Sequence, residues 1–134
     1  MTQKLIVENE FGSLWYHPEH KIVHHQWHKF IYGDVFRELL LKGTSTMKEN
    51  GANKWLSDDR KNPAVRKEDM EWGQTNWFPQ SVQAGWKYWA IVQPEAVIAQ
   101  MNMKQLVETY SQAGIEAQFF TSLEEAQKWL ESKS

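Results

Sequence analysis

The apolar positions along this chain change period as it runs. Near the N-terminus they alternate in short runs, and Leu5 to Asn9, Gly12 to Tyr16 and Ile22 to His28 read as three strands. A Gly-containing turn separates the first two. His17-Pro18-Glu19-His20 reads as a tight turn joining the second and third, because Pro18 presets φ at its first central position. A stripe at helical spacing follows. Val35, Phe36, Leu39, Leu40, Gly43 and Met47 share one side of a helix predicted from Asp34, as its cap, to about Asn50, where Gly51 stops it. A mid-helix glycine costs about 1 kcal/mol against alanine. Gly43 is therefore expected to let the helix approach the sheet closely.

The pattern then alternates between the two periods. Asn53 to Ser57 is a fourth strand, followed by the polar loop Asp58-Asp59-Arg60-Lys61-Asn62-Pro63. Lys67 to Ala84 reads as a second helix, with Glu68, Asp69 and Glu71 in its first turn at the positive end of the dipole. Pro79 must kink or interrupt it, since the ring removes an amide donor and crowds the carbonyl of Thr75. Trp86 to Gln93 is a strongly apolar fifth strand closed by Pro94. Asn102 is expected to cap a third helix buried through Leu106, Val107, Tyr110 and Ala113. Ile115 to Thr121 is a sixth strand, and Ser122-Leu123-Glu124-Glu125 is a capping box opening a last helix. The order βββαβαβαβα predicts a single α/β domain over residues 1–134, whose mixed sheet joins an antiparallel meander to parallel strands with right-handed crossovers.

Composition narrows the partners more than the fold. Fifteen Lys and Arg against seventeen Asp and Glu leave a formal charge of -2 without a block of either sign, so no nucleic acid is expected as a partner. There is no cysteine, which excludes disulfides and thiolate-based metal sites and fits a reducing compartment. No stretch matches a signal-peptide core or approaches the roughly 20 apolar residues of a membrane span, so a cytoplasmic protein is expected. Eight Trp is the one unusual count, and most should be core because each buries about 150–250 Å².

The chain resembles the STAS domain, in particular its SpoIIAA-like (anti-sigma factor antagonist-like) branch, over nearly its whole length. The segments that carry the likeness are Phe36-Arg37-Glu38-Leu39-Leu40, Trp55-Leu56-Ser57-Asp58-Asp59-Arg60, Glu68-Asp69-Met70-Glu71-Trp72, Trp77-Phe78-Pro79, Gly85-Trp86-Lys87-Tyr88-Trp89-Ala90 and Ser122-Leu123-Glu124-Glu125-Ala126. The resemblance implies a STAS-like fold and a regulatory role without catalysis. In that family the loop after the fourth strand carries Asp-Ser-Ser/Thr-Gly, whose serine is phosphorylated. Here it reads Asp58-Asp59-Arg60-Lys61, with no hydroxyl after Asp58 and Ser57 on the strand side. The phosphorylation switch is therefore not expected.

Three constellations bear on chemistry. His17, His20, His24, His25 and His28 fall within twelve residues, and a two-residue turn would set His17 opposite His20 with His24 on the same side, a weak candidate for a metal. Asp58 and Asp59, with His28 at the end of a neighbouring strand, are the one group suited to acid–base work. Trp72 and Trp77 lie five residues apart, about 140° round an ideal helix, so one stripe buries both only if Pro79 turns the second half of the segment. No nucleophile elbow, phosphate loop or nucleotide fingerprint is present, and no cofactor is expected. The reading is a non-enzymatic interaction module of STAS type acting through Asp58, Asp59, Arg60, Lys61, Trp72 and Trp77 on a protein partner. Its rivals are a carrier of a small apolar, lipid-like ligand in a pocket lined by Trp55, Trp77 and Trp89, and an acid–base enzyme using Asp58 or Asp59. A homodimer is expected, closing either the edge of the first strand or the Trp72 surface.

Overall fold

A computed structural model describes residues 3–133; Met1, Thr2 and Ser134, the ends of the expected domain, lie outside the described residues. Six strands form one sheet in sequence order: β1 (Lys4–Glu8), β2 (Gly12–His17), β3 (Ile22–Trp27), β4 (Lys54–Asp58), β5 (Tyr88–Val92) and β6 (Glu116–Phe120). β1, β2 and β3 pair antiparallel, and β3 to β6 pair parallel. The mixed α/β sheet expected from the alternating periods is the one observed.

Because each parallel crossover steps the same way across the sheet, its helices accumulate on one face. This major face is covered by α1 (Gly33–Asn50), by a helical segment made of α2 (Lys67–Trp72), a π-turn (Gly73–Trp77) and α3 (Phe78–Gln83), and by α4 (Val97–Gln112). The strands contribute Val23, Trp27, Trp55, Trp89 and Ile91 to it. The minor face is covered over β4 and β5 by α5 (Leu123–Glu131), where Leu56, Ala90 and Val92 pack on Ala126 and Leu130. Five of the eight Trp are buried, each contributing about 4–6 kcal/mol of apolar transfer at most. Gly43 does admit a close approach: a Cβ there would lie 2.4 Å from Cη2 of Trp55, which docks beneath α1.

Three local expectations are corrected. The β2–β3 connection is a four-residue turn, since His17 pairs with Ile22, and it leaves His20 in the turn instead of opposite His17. Lys21 takes φ 57 there, which lengthens the loop. Asp34 does not cap α1. The Gly33 amide donates instead to Oδ2 of buried Asp69, 3.1 Å away, so the orphan amide of α1 is satisfied from α2. Asn102 lies inside α4, which starts at Val97, and its Oδ1 accepts from the Val65 amide at 3.3 Å. The interruption expected at Pro79 takes the form of a wider π-turn before it, in which the Phe78 amide donates to the Gly73 carbonyl. One extra residue advances the segment by about 100°, which turns Trp77 into the core. Trp72 stays half-buried, its ring 5.4 Å from the Arg37 guanidinium.

Candidate functional site

The pleat of β3 sends successive histidines to opposite faces of the sheet. His25, between Val23 and Trp27, faces the helices of the major face. Trp55 on the next strand donates its indole N–H to His25 Nδ1 at 2.9 Å. An indole nitrogen only donates, so Nδ1 must accept, and the imidazole is neutral with its proton on Nε2. That proton is donated to Oδ1 of Asp59 at 2.8 Å. The imidazole also packs on Trp27, with ring centroids 4.3 Å apart. Both ring nitrogens are thus engaged, and Asp59 holds a carboxylate in the interior with a neutral partner.

Around this dyad is a cavity of about 40 Å³, set at the carboxyl ends of the parallel strands where open α/β sheets place ligands. Its floor is Ser57 and Trp89, whose indole N–H donates to Ser57 Oγ at 2.8 Å. Gly73 and Trp77 of the π-turn form one wall and Tyr110 of α4 another. The absence of a side chain at Gly73 makes room for the phenol, because a Cβ there would lie 3.2 Å from the Tyr110 hydroxyl. The Trp89 and Tyr110 rings stack at 5.5 Å, and Trp77 meets Trp89 edge-on at 6.4 Å. Burial pushes the Tyr110 pKa up, so the phenol stays protonated. Asn62 closes the site from the loop after β4, its amide donating to the Asp59 carbonyl at 3.2 Å.

Among the described residues, four buried side-chain atoms have no hydrogen-bond partner: Asn62 Oδ1, Trp77 Nε1, Tyr110 Oη and His24 Nε2. The first three belong to residues lining this cavity. Buried polar groups are nearly always paired, since an unpaired one costs about 1–3 kcal/mol. Three of the four unpartnered atoms thus belong to the lining of one cavity.

The opposite face is electrostatically closed. Asp58 accepts from Arg60 Nε at 2.8 Å and Nη2 at 2.7 Å, and from Gln26 Nε2 at 3.4 Å. Burial alone would raise its pKa, but the Arg60 hydrogen bonds and charge outweigh that and hold it below the usual carboxylate value. His24 Nδ1 lies 3.0 Å from His17 Nε2. Burial, then the neighbouring His17, lowers the His24 pKa to about 3, so it is neutral at pH 7.

The expected site residues therefore separate. Asp58 and Asp59 do not form a carboxylate pair: they lie on opposite faces, and both are buried rather than displayed on a solvated loop. Arg60 is taken up by Asp58, Lys61 is exposed, and Trp72 lies outside the cavity. Trp77 and Trp89 line the cavity. Trp55 stands behind its wall and orients His25. His28 does not join the carboxylates, because its Nε2 lies 2.9 Å from Ser13 Oγ. His20 is drawn to Glu131 at 3.9 Å, and no three His, Cys, Asp or Glu among the described residues are grouped to hold a metal. Gly73 and Tyr110 are additions that the sequence reading did not single out, while His25 stood there only among five clustered histidines and Asn62 only at the end of the polar loop Asp58 to Asn62. The signal for His25 was present: it alternates with Val23 and Trp27, which assigns it to the core side. Compared with protein-family models, curated proteins and solved structures, the chain matches none.

Proposed function

We propose that this chain is a binding protein for a small molecule, taken up in the cavity between the sheet and the π-turn. The observation that carries the reading is that Asn62, Trp77 and Tyr110, each holding a buried and unpartnered polar atom, all line one aromatic-walled cavity. Binding is favoured over acid–base catalysis because neither nitrogen of His25 is free to take up a proton. A water occupies about 10–15 Å³ on this measure, so 40 Å³ suits roughly three water-sized groups. That favours a compact molecule, or the head of a larger one, over a lipid-like chain. A STAS-type regulator that senses such a molecule is consistent with the proposal.

The test is a titration with small amines, alcohols and carboxylic acids, followed by indole fluorescence and by thermal denaturation. At least one class should give a saturable change in emission and a matching rise in Tm. Silence from every class in both measurements overturns the reading. A second reading, a protein-interaction module, rests on a different feature: Val97, Ile98 and Met101 form an apolar stripe on α4 and are each about two-thirds exposed. Its partner would be a second copy of this chain. Sedimentation at micromolar concentration should then give a dimer that Met101→Lys dissociates; a monomer removes this reading.

A further inference from the structure

The described residues hold three buried carboxylates near the mouth of the sheet, and they are not equivalent. Asp58 is held by Arg60, and Asp69 by Arg37 at 3.1 Å. Asp59 has neither arginine nor lysine beside it; its side-chain partner is the neutral His25. An interior carboxylate without a cation is unfavourable, because burial removes its hydration and a neutral imidazole returns one hydrogen bond. The cavity beside it is lined by two aspartates and by no lysine or arginine. Its lining includes the rings of Trp27, Phe36 and Trp77, together with Trp89 and Tyr110, which stack on each other, and aromatic rings carry negative quadrupole potential on their faces.

Carboxylate, π faces and absence of positive charge select the same class of ligand. Resting on the binding role proposed above, we infer that the ligand carries an organic ammonium group, which supplies Asp59 with its missing cation and lies among the aromatic side chains that line the cavity. The unpartnered Asn62 Oδ1 accepts from an ammonium N–H. Trp77 Nε1 and the Tyr110 hydroxyl have hydrogens to donate, so an oxygen acceptor a few atoms from the nitrogen completes the fit. An anionic ligand finds no counter-charge here, and a neutral one leaves Asp59 as it was.

The experiment compares ethylammonium, ethanol and acetate at constant ionic strength, using calorimetry and indole fluorescence on the full chain. A probe of three or four heavy atoms binds no tighter than about millimolar, so titrations run through that range. Ethylammonium should saturate, and ethanol and acetate should bind at least about tenfold more weakly. Asp59→Asn should weaken ethylammonium by about tenfold and leave ethanol unchanged. Selectivity in the unmodified protein needs no variant to fold. Ethanol or acetate binding as well as ethylammonium overturns the cation while the binding role survives. Ethylammonium binding unaffected in a folded Asp59→Asn protein also overturns the inference. No binding by any probe removes both, and means the cavity holds water only.

Discussion

Two adjacent residues on β3 and two at the end of β4 repeat the same pair of side chains, yet the sheet gives them opposite surroundings. His24 and Asp58 point to the minor face, His25 and Asp59 to the major one. On the minor face Arg60 cancels Asp58, and His24 is buried as a neutral ring beside His17. On the major face no cation among the described residues cancels Asp59, and the imidazole is pinned between a donor and an acceptor beside an aromatic cavity. A step of one residue along a pleated strand therefore separates a satisfied ion pair from a carboxylate beside an aromatic cavity. Residue type alone does not distinguish them. The partners brought by helices and neighbouring strands do.

The largest effect that separates the faces is expected at Trp55. Trp55→Ala removes the ring packed under Gly43 and the donor that orients His25, and should cost about 3–5 kcal/mol in urea denaturation, with ligand binding lost. Trp55→Phe is the sharper form, since it keeps most of the ring and deletes the N–H. A cost of about 1–3 kcal/mol is expected for leaving Nδ1 unpaired. If Trp55→Phe leaves both stability and binding unchanged, the imidazole is not held as described.

The carboxylates come next. Asp58→Asn leaves Arg60 without its bidentate partner, and the cost should be about 1–3 kcal/mol, reduced because the Arg60 side chain is more than a third exposed. Asp59→Asn should change stability by under about 1 kcal/mol, because an amide oxygen still accepts from His25 and no cation is stranded. Equal losses from the two variants would erase the contrast between the faces.

A pH-dependent effect distinguishes the histidines. The folded-state pKa of His24, about 3, lies below the ordinary value of 6.5, so the unfolded chain binds the extra proton between those values. Its contribution is complete above pH 6.5 and declines as pH falls toward 3, by about 1.4 kcal/mol per pH unit once the unfolded ring is fully charged. The Asp58 contribution also declines in acid, but begins to do so only near the unfolded value of 3.8. Urea midpoints at pH 7, 5.5 and 4.5 should therefore fall more steeply for the native chain than for His24→Gln. Parallel profiles would mean that His24 is not buried as a neutral ring.

Most of the fold was legible because it rests on period and punctuation. The switch from alternating runs to the Phe36–Leu40–Met47 stripe, and the strand bounded by Gly85 and Pro94, carry their own signals. The site was legible in part. Trp77 and Trp89 stood out as large apolar groups, and Asp59 as a carboxylate at a strand end. What stayed hidden depends on distance in space. The α1 amide is satisfied by Asp69, 36 residues away, and Asn102 caps a loop 37 residues away, so a scan for local caps finds the wrong partners. Tyr110 lies on an ordinary helical stripe, and Gly73 looks like a helix weakener until the π-turn sets it against the phenol. His25 and Asp59 are 34 residues apart, and their pairing needs the β3–β4 register.

The smallest expected effect is none, and it concerns Ser57, which stands beside His25 in the β3–β4 register on the major face. The side chain is 1% exposed, and its Oγ accepts from Trp89 Nε1. A kinase must bind an extended, accessible segment, whereas this serine lies in a strand laddered on both sides and beneath the helices. Phosphate would also add about -1.5 to -2 charge next to Asp59, with no arginine in the cavity lining to receive it. Incubation with cell lysate and ATP should leave the intact mass unchanged and yield no phosphopeptide containing Ser57. Stoichiometric phosphate there would require β4 to open in the native state, and would turn the major face from a fixed packing into a switchable one.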